Sequence, residues 1–152
     1  MLFAIAAEIS EVFGLVGLKK DEFEQISENV QIYLKKNNIE INEFLSRENS
    51  GGDSAGLALV LSSVVANGEL QNDIPISVTG AISNTGMVKE VGYIKEKVLI
   101  ADKDGFSHMI IPIANLNEAN KIKEKQNLHI QIIGVRNVDK AIQLIKDLNS
   151  RK

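Results

Sequence analysis

The second half of the chain alternates between helical and strand-like hydrophobic patterns, and this alternation restricts the fold more than any other feature. The pattern predicts helices over 93–104, 115–126 and 137–149, with strands over 107–112 and 128–133 between them. Strands that alternate with helices indicate a layered α/β domain. A chain of 152 residues has room for one hydrophobic core, so we expect a single domain over 1–152.

The first half contains the same kinds of element. Apolar residues at spacings of three and four predict a helix over 21–36; they are Phe23, Ile26, Val30, Tyr33 and Leu34. The other predicted elements are a strand at 39–45, a polar loop at 47–52, a helix at 54–66, and a hairpin of strands 75–79 and 87–91 around a turn at 84–86.

Residues 1–18 are rich in apolar side chains and are followed by two lysines, a pattern that membrane segments share. Glu8 and Glu11 lie inside this stretch, and a carboxylate at the middle of a bilayer costs about 3 kcal/mol. A strand or helix packed on the core is therefore favoured, and membrane association stays open. No targeting motif is evident, so a cytoplasmic location is the default expectation.

Charge and residue types exclude several functions. The net charge of -3 offers no basic surface for phosphate contacts, so we expect no nucleic-acid partner. The chain has no cysteine and only two histidines, His108 and His129, which excludes a thiol nucleophile and a three-histidine zinc site within one chain. No G-K-[ST] sequence follows the glycines, which excludes a P-loop.

The sequence Gly52-Asp53-Ser54-Ala55-Gly56 places a serine at the start of a predicted helix. Free amides and the positive end of the helix dipole at such a start favour a developing oxyanion. Asp53 or Ser54 is also an ordinary N-cap, which is the structural alternative. The five residues match the G-x-S-x-G elbow of α/β-hydrolases too, but that esterase alternative requires one of the histidines as base. It also requires a buried strand before the serine, whereas 46–50 is polar.

A lysine can replace histidine as the base when burial lowers its pKa. The predicted helix 93–104 has an apolar arc that consists of Ile94, Val98, Ile100 and Ala101. Lys97 falls inside this arc, whereas Lys95 points away from it. Lys97 is therefore the lysine that folding should remove from water. The alternative is a lysine whose stem covers the edge of the core while its ammonium stays in solvent.

Four segments share a pattern with one known family. They are Gly52-Asp53-Ser54-Ala55-Gly56, Val78-Thr79-Gly80, Gly86-Met87-Val88 and Val91-Gly92-Tyr93-Ile94-Lys95-Glu96-Lys97. Together they resemble the proteolytic domain of the Lon proteases, peptidase family S16. The resemblance implies a layered α/β fold of the α+β kind, similar to domain 2 of ribosomal protein S5. It is closest over 46–148 and loose over 1–45, and the chain departs from it at Ala81 and Gly51, where the family commonly has acidic residues.

The resemblance also implies roles for individual residues. It assigns Ser54 as the nucleophile and Lys97 as the general base of a Ser/Lys dyad. Thr79 matches a family threonine whose hydroxyl could accept a hydrogen bond from the lysine and orient the amine. Asp53 is expected to support the site through its backbone and as a cap.

By the same resemblance, we expect a serine endopeptidase that hydrolyses unfolded or flexible polypeptides through an acyl-enzyme, without a metal or organic cofactor. Family members are usually fused to an ATPase module, so ATP would matter here only through a separate ATPase partner. A homo-oligomeric ring, hexameric by resemblance, is expected. The alternative is a non-catalytic Lon-like scaffold or binding domain, against which the presence of both Ser54 and Lys97 argues.

Overall fold

The computed structural model describes residues 3–5, 28–35 and 53–151. Within them the strands are β1 (Phe3–Ile5), β2 (Ile76–Val78), β3 (Ala81–Ile82), β4 (Val88–Lys89), β5 (His108–Pro112) and β6 (Gln131–Val135). The helices are α1 (28–35), α2 (Gly56–Ala66), α3 (Ile94–Lys103), α4 (Leu116–Gln126) and α5 (Val138–Ser150), with 3-10 turns at Asp53–Ala55 and Ile113–Asn115. The predicted strand 39–45 and loop 47–52 lie outside the described residues.

Four strands form a parallel sheet in the order β1-β2-β5-β6. In its centre, Ile76 lies opposite His108 and Val78 opposite Ile110. Parallel sheets are normally covered on both faces, so their strands are apolar on both sides. The side chains of the consecutive residues 109–111 point alternately to the two faces, and all three are buried. Both faces are therefore covered at this strand.

Helices cover both faces of this sheet. The side chains of α1, α2 and α5 form one core cluster, which includes Val30, Leu34, Leu57, Leu61, Ile110, Ala141 and Ile145. The side chains of α3 and α4 form a second cluster, which includes Ile94, Val98, Met109, Ile111, Ala119 and Ile130. Ile110 belongs to the first cluster and its two neighbours to the second, so the clusters lie on opposite faces. This arrangement confirms the predicted layered α/β class.

The predicted hairpin of 75–79 with 87–91 is wrong in its pairing. β2 joins the parallel sheet, and β4 pairs antiparallel with β3 instead. The cause lies at Gly80, whose amide and carbonyl are both hydrogen-bonded to the start of α2, so the chain leaves the sheet there. The turn at 84–86 is confirmed, and Gly86 closes it with a φ of 83°.

Most other boundaries match the predictions. The helices α3, α4 and α5 and the strand β5 begin and end within one residue of their predicted limits. β6 begins three residues later than predicted, because the amides of His129 and Ile130 donate to the Asp102 carboxylate instead of a neighbouring strand. Among the described helices, none combines the length and hydropathy needed to cross a bilayer. At 3–5 the apolar amino terminus forms β1, which pairs with β2.

Candidate active site

Ser54 lies in a 3-10 turn that leads directly into α2. Its carbonyl accepts hydrogen bonds from the Gly80 amide at 2.9 Å and from the Thr79 hydroxyl at 3.4 Å. One turn further on, the Leu57 amide donates to the Gly80 carbonyl at 2.9 Å. These three bonds fix the backbone of the serine turn to the chain immediately beyond the carboxyl end of β2.

Two glycines allow this close approach. A Cβ at Gly80 would lie 3.0 Å from Cγ1 of Val88 and 3.2 Å from Cδ2 of Leu57. A Cβ at Gly56 would lie 3.1 Å from Cγ1 of Ile82 and 3.2 Å from its backbone nitrogen. All four distances are shorter than ordinary van der Waals contacts, so a side chain at either position would force these neighbours apart.

The capping prediction for Ser54 is wrong. The N-cap residue of α2 is Ala55, which makes no side-chain hydrogen bond to the helix. The inserted 3-10 turn moves Ser54 one position ahead of the cap, where its side chain is half-buried. Asp53 contributes its backbone to the same turn. The candidate nucleophile therefore lies one position before the cap residue of α2, and not at the cap itself.

Lys97 lies in the first turn of α3 and is only 5% exposed. It shares the buried face of α3 with Ile94, Val98 and Ala101. Burial lowers the pKa of Lys97 from 10.5 to about 8, against a smaller opposing effect of the Glu96 carboxylate. No hydrogen bond or ion pair of its ammonium occurs among the residues that the structure describes.

The prediction that Lys97 and not Lys95 is buried on this helix is confirmed. The prediction that Ile100 belongs to the apolar arc is wrong, since this side chain is 39% exposed. At 100° per residue, Ile100 lies about 100° away from Ala101 and so outside the arc that faces the core.

Asn115 fixes the start of α3, a role that the sequence analysis missed. Its side-chain carbonyl accepts the Val91 amide at 2.9 Å, and its side-chain amide donates to the Val91 carbonyl at 3.1 Å. Asn115 is itself buried, in the 3-10 turn after β5. The sequence shows an asparagine at a predicted helix start, and nothing local indicates a partner 24 residues away.

Ser54 and Lys97 lie at the same edge of the parallel sheet, the edge formed by the carboxyl ends of its strands. The serine turn is bonded to the residues that follow β2, and the segment before α3 is bonded to Asn115, which follows β5. At its other end α3 is bonded, through Asp102, to the residues before β6. Each of the two candidate residues thus lies at the amino end of a helix, and the two helices cover opposite faces of the sheet.

A family model described as the Lon protease (S16) C-terminal proteolytic domain matches residues 10–147. The chain belongs to the Lon protease family. No curated protein matches it significantly. The match includes Ser54, Thr79, Lys97 and Asn115 together with nearly all of the described fold, and it confirms the resemblance expected from the four sequence segments. The chain is therefore a domain of the Lon-type serine protease family.

Thr79 directly follows β2 in this Lon domain and is completely buried. Its amide donates to the Ile110 carbonyl at 3.0 Å, which extends the sheet by one bond. Its hydroxyl donates to the Ser54 carbonyl rather than bonding to Lys97. Within the described ranges the structure thus brings Thr79 together with the serine turn, and the predicted contact with the lysine does not occur.

Both histidines of the Lon domain lie at the opposite edge of the sheet from Ser54. His108 begins β5 opposite Ile76, and its Nδ1 is 2.8 Å from the Ser107 hydroxyl. Thr79, which is bonded to Ser54, lies three residues beyond Ile76, or about 10 Å further along the strand. His129 is exposed just before β6. The arrangement gives no support to the esterase alternative, which needs a histidine beside the serine.

Proposed function

We propose that this Lon-family domain is a serine endopeptidase in which Ser54 is the nucleophile and Lys97 the general base. One observation carries the proposal. Lys97 is buried among apolar side chains with its pKa lowered to about 8, and it lies at the sheet edge where the serine turn begins α2. A lysine that is partly neutral near physiological pH can accept a proton, whereas an exposed lysine cannot.

The proposed reaction is acyl transfer. Neutral Lys97 takes the hydroxyl proton of Ser54 as the serine oxygen attacks the peptide carbonyl, and the protonated lysine then donates that proton to the leaving amine. Water hydrolyses the acyl-enzyme with the same lysine as base. The Leu57 amide is already bonded to Gly80, so the amides near Asp53 and Ser54 are the proposed donors to the oxyanion. The scheme requires no metal or organic cofactor.

The proposed substrates are unfolded or flexible polypeptides, as the family resemblance implies. A separate ATPase partner and a homo-oligomeric ring belong to the same proposal. Sedimentation velocity over a wide concentration range tests the ring, and a chain that stays monomeric throughout would contradict it.

The decisive experiment measures cleavage of unfolded casein and of a fluorogenic peptide by the native chain, Ser54→Ala and Lys97→Ala. We expect both variants to lose activity by about 10³-fold or more, because either change removes one member of a unit that acts together. Lys95→Ala is the matched control, since this exposed lysine lies on the same helix. Thermal melting verifies that every variant folds. Unchanged activity in either dyad variant would refute the mechanism, and an inactive native chain would favour the scaffold alternative.

The pH dependence provides a second, independent test. The base must be neutral, so kcat/KM of the native chain should rise about tenfold per pH unit below the lysine pKa and level off above pH 8. A histidine base would give a rise that is complete near pH 7.

A further inference from the structure

The hairpin of β3 and β4 lies directly against the serine turn. Its first strand follows Gly80, whose amide donates to the Ser54 carbonyl at 2.9 Å, and the Ile82 side chain leaves no room for a Cβ on Gly56. Each strand of the hairpin contains only two residues. An isolated two-stranded hairpin is at best marginally stable in water. Other parts of the molecule must therefore hold this hairpin against the serine turn.

The start of α5 holds the β4 side of the hairpin. The Val138 amide donates to the Gly86 carbonyl at 2.9 Å, and the Val88 amide donates to the Arg136 carbonyl at 2.9 Å. Both bonds involve backbone groups of β4 or of the turn before it. Neither bond reaches β3, the strand that contacts the serine turn.

Helix α1 holds the turn and β3. The ring of Tyr33 packs on Gly86 so closely that a Cβ there would overlap its Cε2 atom and lie 3.0 Å from its Cδ2 atom. The hydroxyl of this buried tyrosine donates to Oδ1 of Asp139, in the first turn of α5, at 3.4 Å. The side-chain amide of Asn29 donates to the Ile82 carbonyl at 3.4 Å. Residues 29 and 33 are four apart, so one face of α1 makes both contacts with the hairpin.

The contact between Tyr33 and the turn does not depend on pH in the range where Lys97 titrates. Burial, together with the charge of the Asp139 carboxylate and the hydrogen bond to it, raises the pKa of Tyr33 to about 12. The hydroxyl therefore stays protonated and remains a donor at every pH at which the proposed base gains or loses its proton.

We infer that Tyr33 is a positioning residue for the nucleophile: its ring, packed on Gly86, keeps the β3–β4 hairpin against the turn that contains Ser54. The inference rests on the proposed peptidase function, since it concerns the place of the attacking serine. The contacts run from Tyr33 to Gly86, through the paired strands to Ile82, and from Ile82 to Gly56, two residues after Ser54. Tyr33 thus acts through the hairpin, and its hydroxyl bonds to α5.

Tyr33→Leu removes the ring and leaves an apolar side chain. We expect kcat to fall about tenfold with KM within about twofold of the native value, because a displacement of about 1 Å at the reacting group can cost up to about a hundredfold in rate. Tyr33→Phe keeps the ring and loses one long hydrogen bond, so its kcat should stay within about twofold. The midpoint of the pH–rate profile should stay near 8 in both variants.

Ile145→Val is the control for a general loss of stability. Ile145 is fully buried and lies two helical turns beyond Val138, the residue of α5 that is bonded to the hairpin. Removing one methyl group there should lower the melting temperature and leave kcat unchanged.

Gly86→Ala disturbs the same contact from the other side. The new methyl group overlaps the Tyr33 ring, so kcat should fall about tenfold in the native background. In the Tyr33→Leu background the same change should lower kcat by less than about twofold, because the two changes remove one contact. Gly105→Ala is the matched backbone control, since Gly105 has a φ of 80° and a Cβ there meets nothing within 4 Å. It should lower stability and leave kcat unchanged.

Hydrogen exchange separates this inference from the proposed catalysis. The amides of Gly80 and Leu57 form the backbone bonds that hold the serine turn, and their exchange rates measure how often these bonds open. In the Ser54→Ala background, Tyr33→Leu should speed their exchange about tenfold more than that of the amides in α3. That result would support the inference even if the native chain cleaves nothing. Equal acceleration throughout the molecule would overturn it, as would equal kcat values for Tyr33→Leu and Ile145→Val or additive losses in the double variant.

Discussion

The helices α2 and α3 each begin at the candidate site, but they hold their functional residue in opposite ways. α2 is apolar on nearly every side, and all of its residues from 56 to 64 are buried. α3 is amphipathic, and its buried face contains one charged residue, Lys97. The carbonyl of Ser54 is held by the Gly80 amide and the Thr79 hydroxyl, whereas Lys97 is characterised by its burial on the apolar face of α3.

The two helices thus meet two different requirements: the nucleophile has to be held in place, and the base has to have a lowered pKa. A nucleophile needs a fixed place, which backbone hydrogen bonds between two buried elements supply at little cost to stability. A lysine base needs a lowered pKa, which burial supplies only by destabilising the charged form. We therefore expect changes around Ser54 to reduce stability and activity together, and changes at Lys97 to move them in opposite directions.

Lys97→Met should produce the largest effect. Activity should fall by about 10³-fold or more. The free energy of unfolding at pH 7 should rise by roughly 2 kcal/mol, a value that allows for partial solvation of the ammonium. This corresponds to an increase of about 5 °C in melting temperature. The folded pKa of about 8 lies below the ordinary 10.5, so the destabilisation is fully present below pH 8 and disappears as the pH rises to 10.5. Melting curves of both chains from pH 6 to 10.5 test this. A variant less stable than the native chain at pH 7 would contradict the comparison.

Gly80→Ala tests the backbone fixation at α2. The new Cβ would crowd Val88 and Leu57, so we expect a loss of about 1–3 kcal/mol in stability together with a clear fall in kcat. Gly92→Ala is the matched control beside α3, where a Cβ meets nothing within 4 Å. It should be neutral or slightly stabilising. Urea unfolding and peptide cleavage measure both effects, and equal behaviour of the two variants would remove the distinction between the two helices.

Asn115→Ala removes both hydrogen bonds to Val91 and should cost about 1–3 kcal/mol. Because the start of α3 is then less firmly held, water should reach Lys97 more readily and the midpoint of the pH–rate profile should move upward from about 8. Asn72→Ala is the control, since this buried amide bonds to Ile74 and Asn149 at the other end of β2. It should lower stability without moving the midpoint.

Thr79→Val should have the smallest effect. It removes one long hydrogen bond to the Ser54 carbonyl, and we expect a fall in kcat of about threefold with less than about 1 kcal/mol of lost stability. Ser77→Ala, a change at a buried position of β2 two residues earlier, should leave kcat unchanged. A much larger loss for Thr79→Val, accompanied by a shifted pH–rate profile, would instead favour the contact with Lys97 that the family resemblance implies.

Local patterns predicted the elements between 93 and 149 well because helical spacing and turn residues are properties of neighbouring positions. The same patterns gave the wrong partner for β4, since nothing local shows that Gly80 is bonded to the start of α2 and unavailable to a hairpin. They also misplaced the start of β6, which depends on the side chain of Asp102.

The sequence by itself determined the layered α/β class, the family, and the choice of Ser54 and Lys97 as candidates, because each depends on residue type and short-range spacing. Only the tertiary structure decided that the amino ends of α2 and α3 meet the same edge of the sheet, and that Asn115 holds Val91. It also decided how far Lys97 is removed from water. These properties arise from contacts between segments distant along the chain, and burial of a charge depends on everything that packs around it.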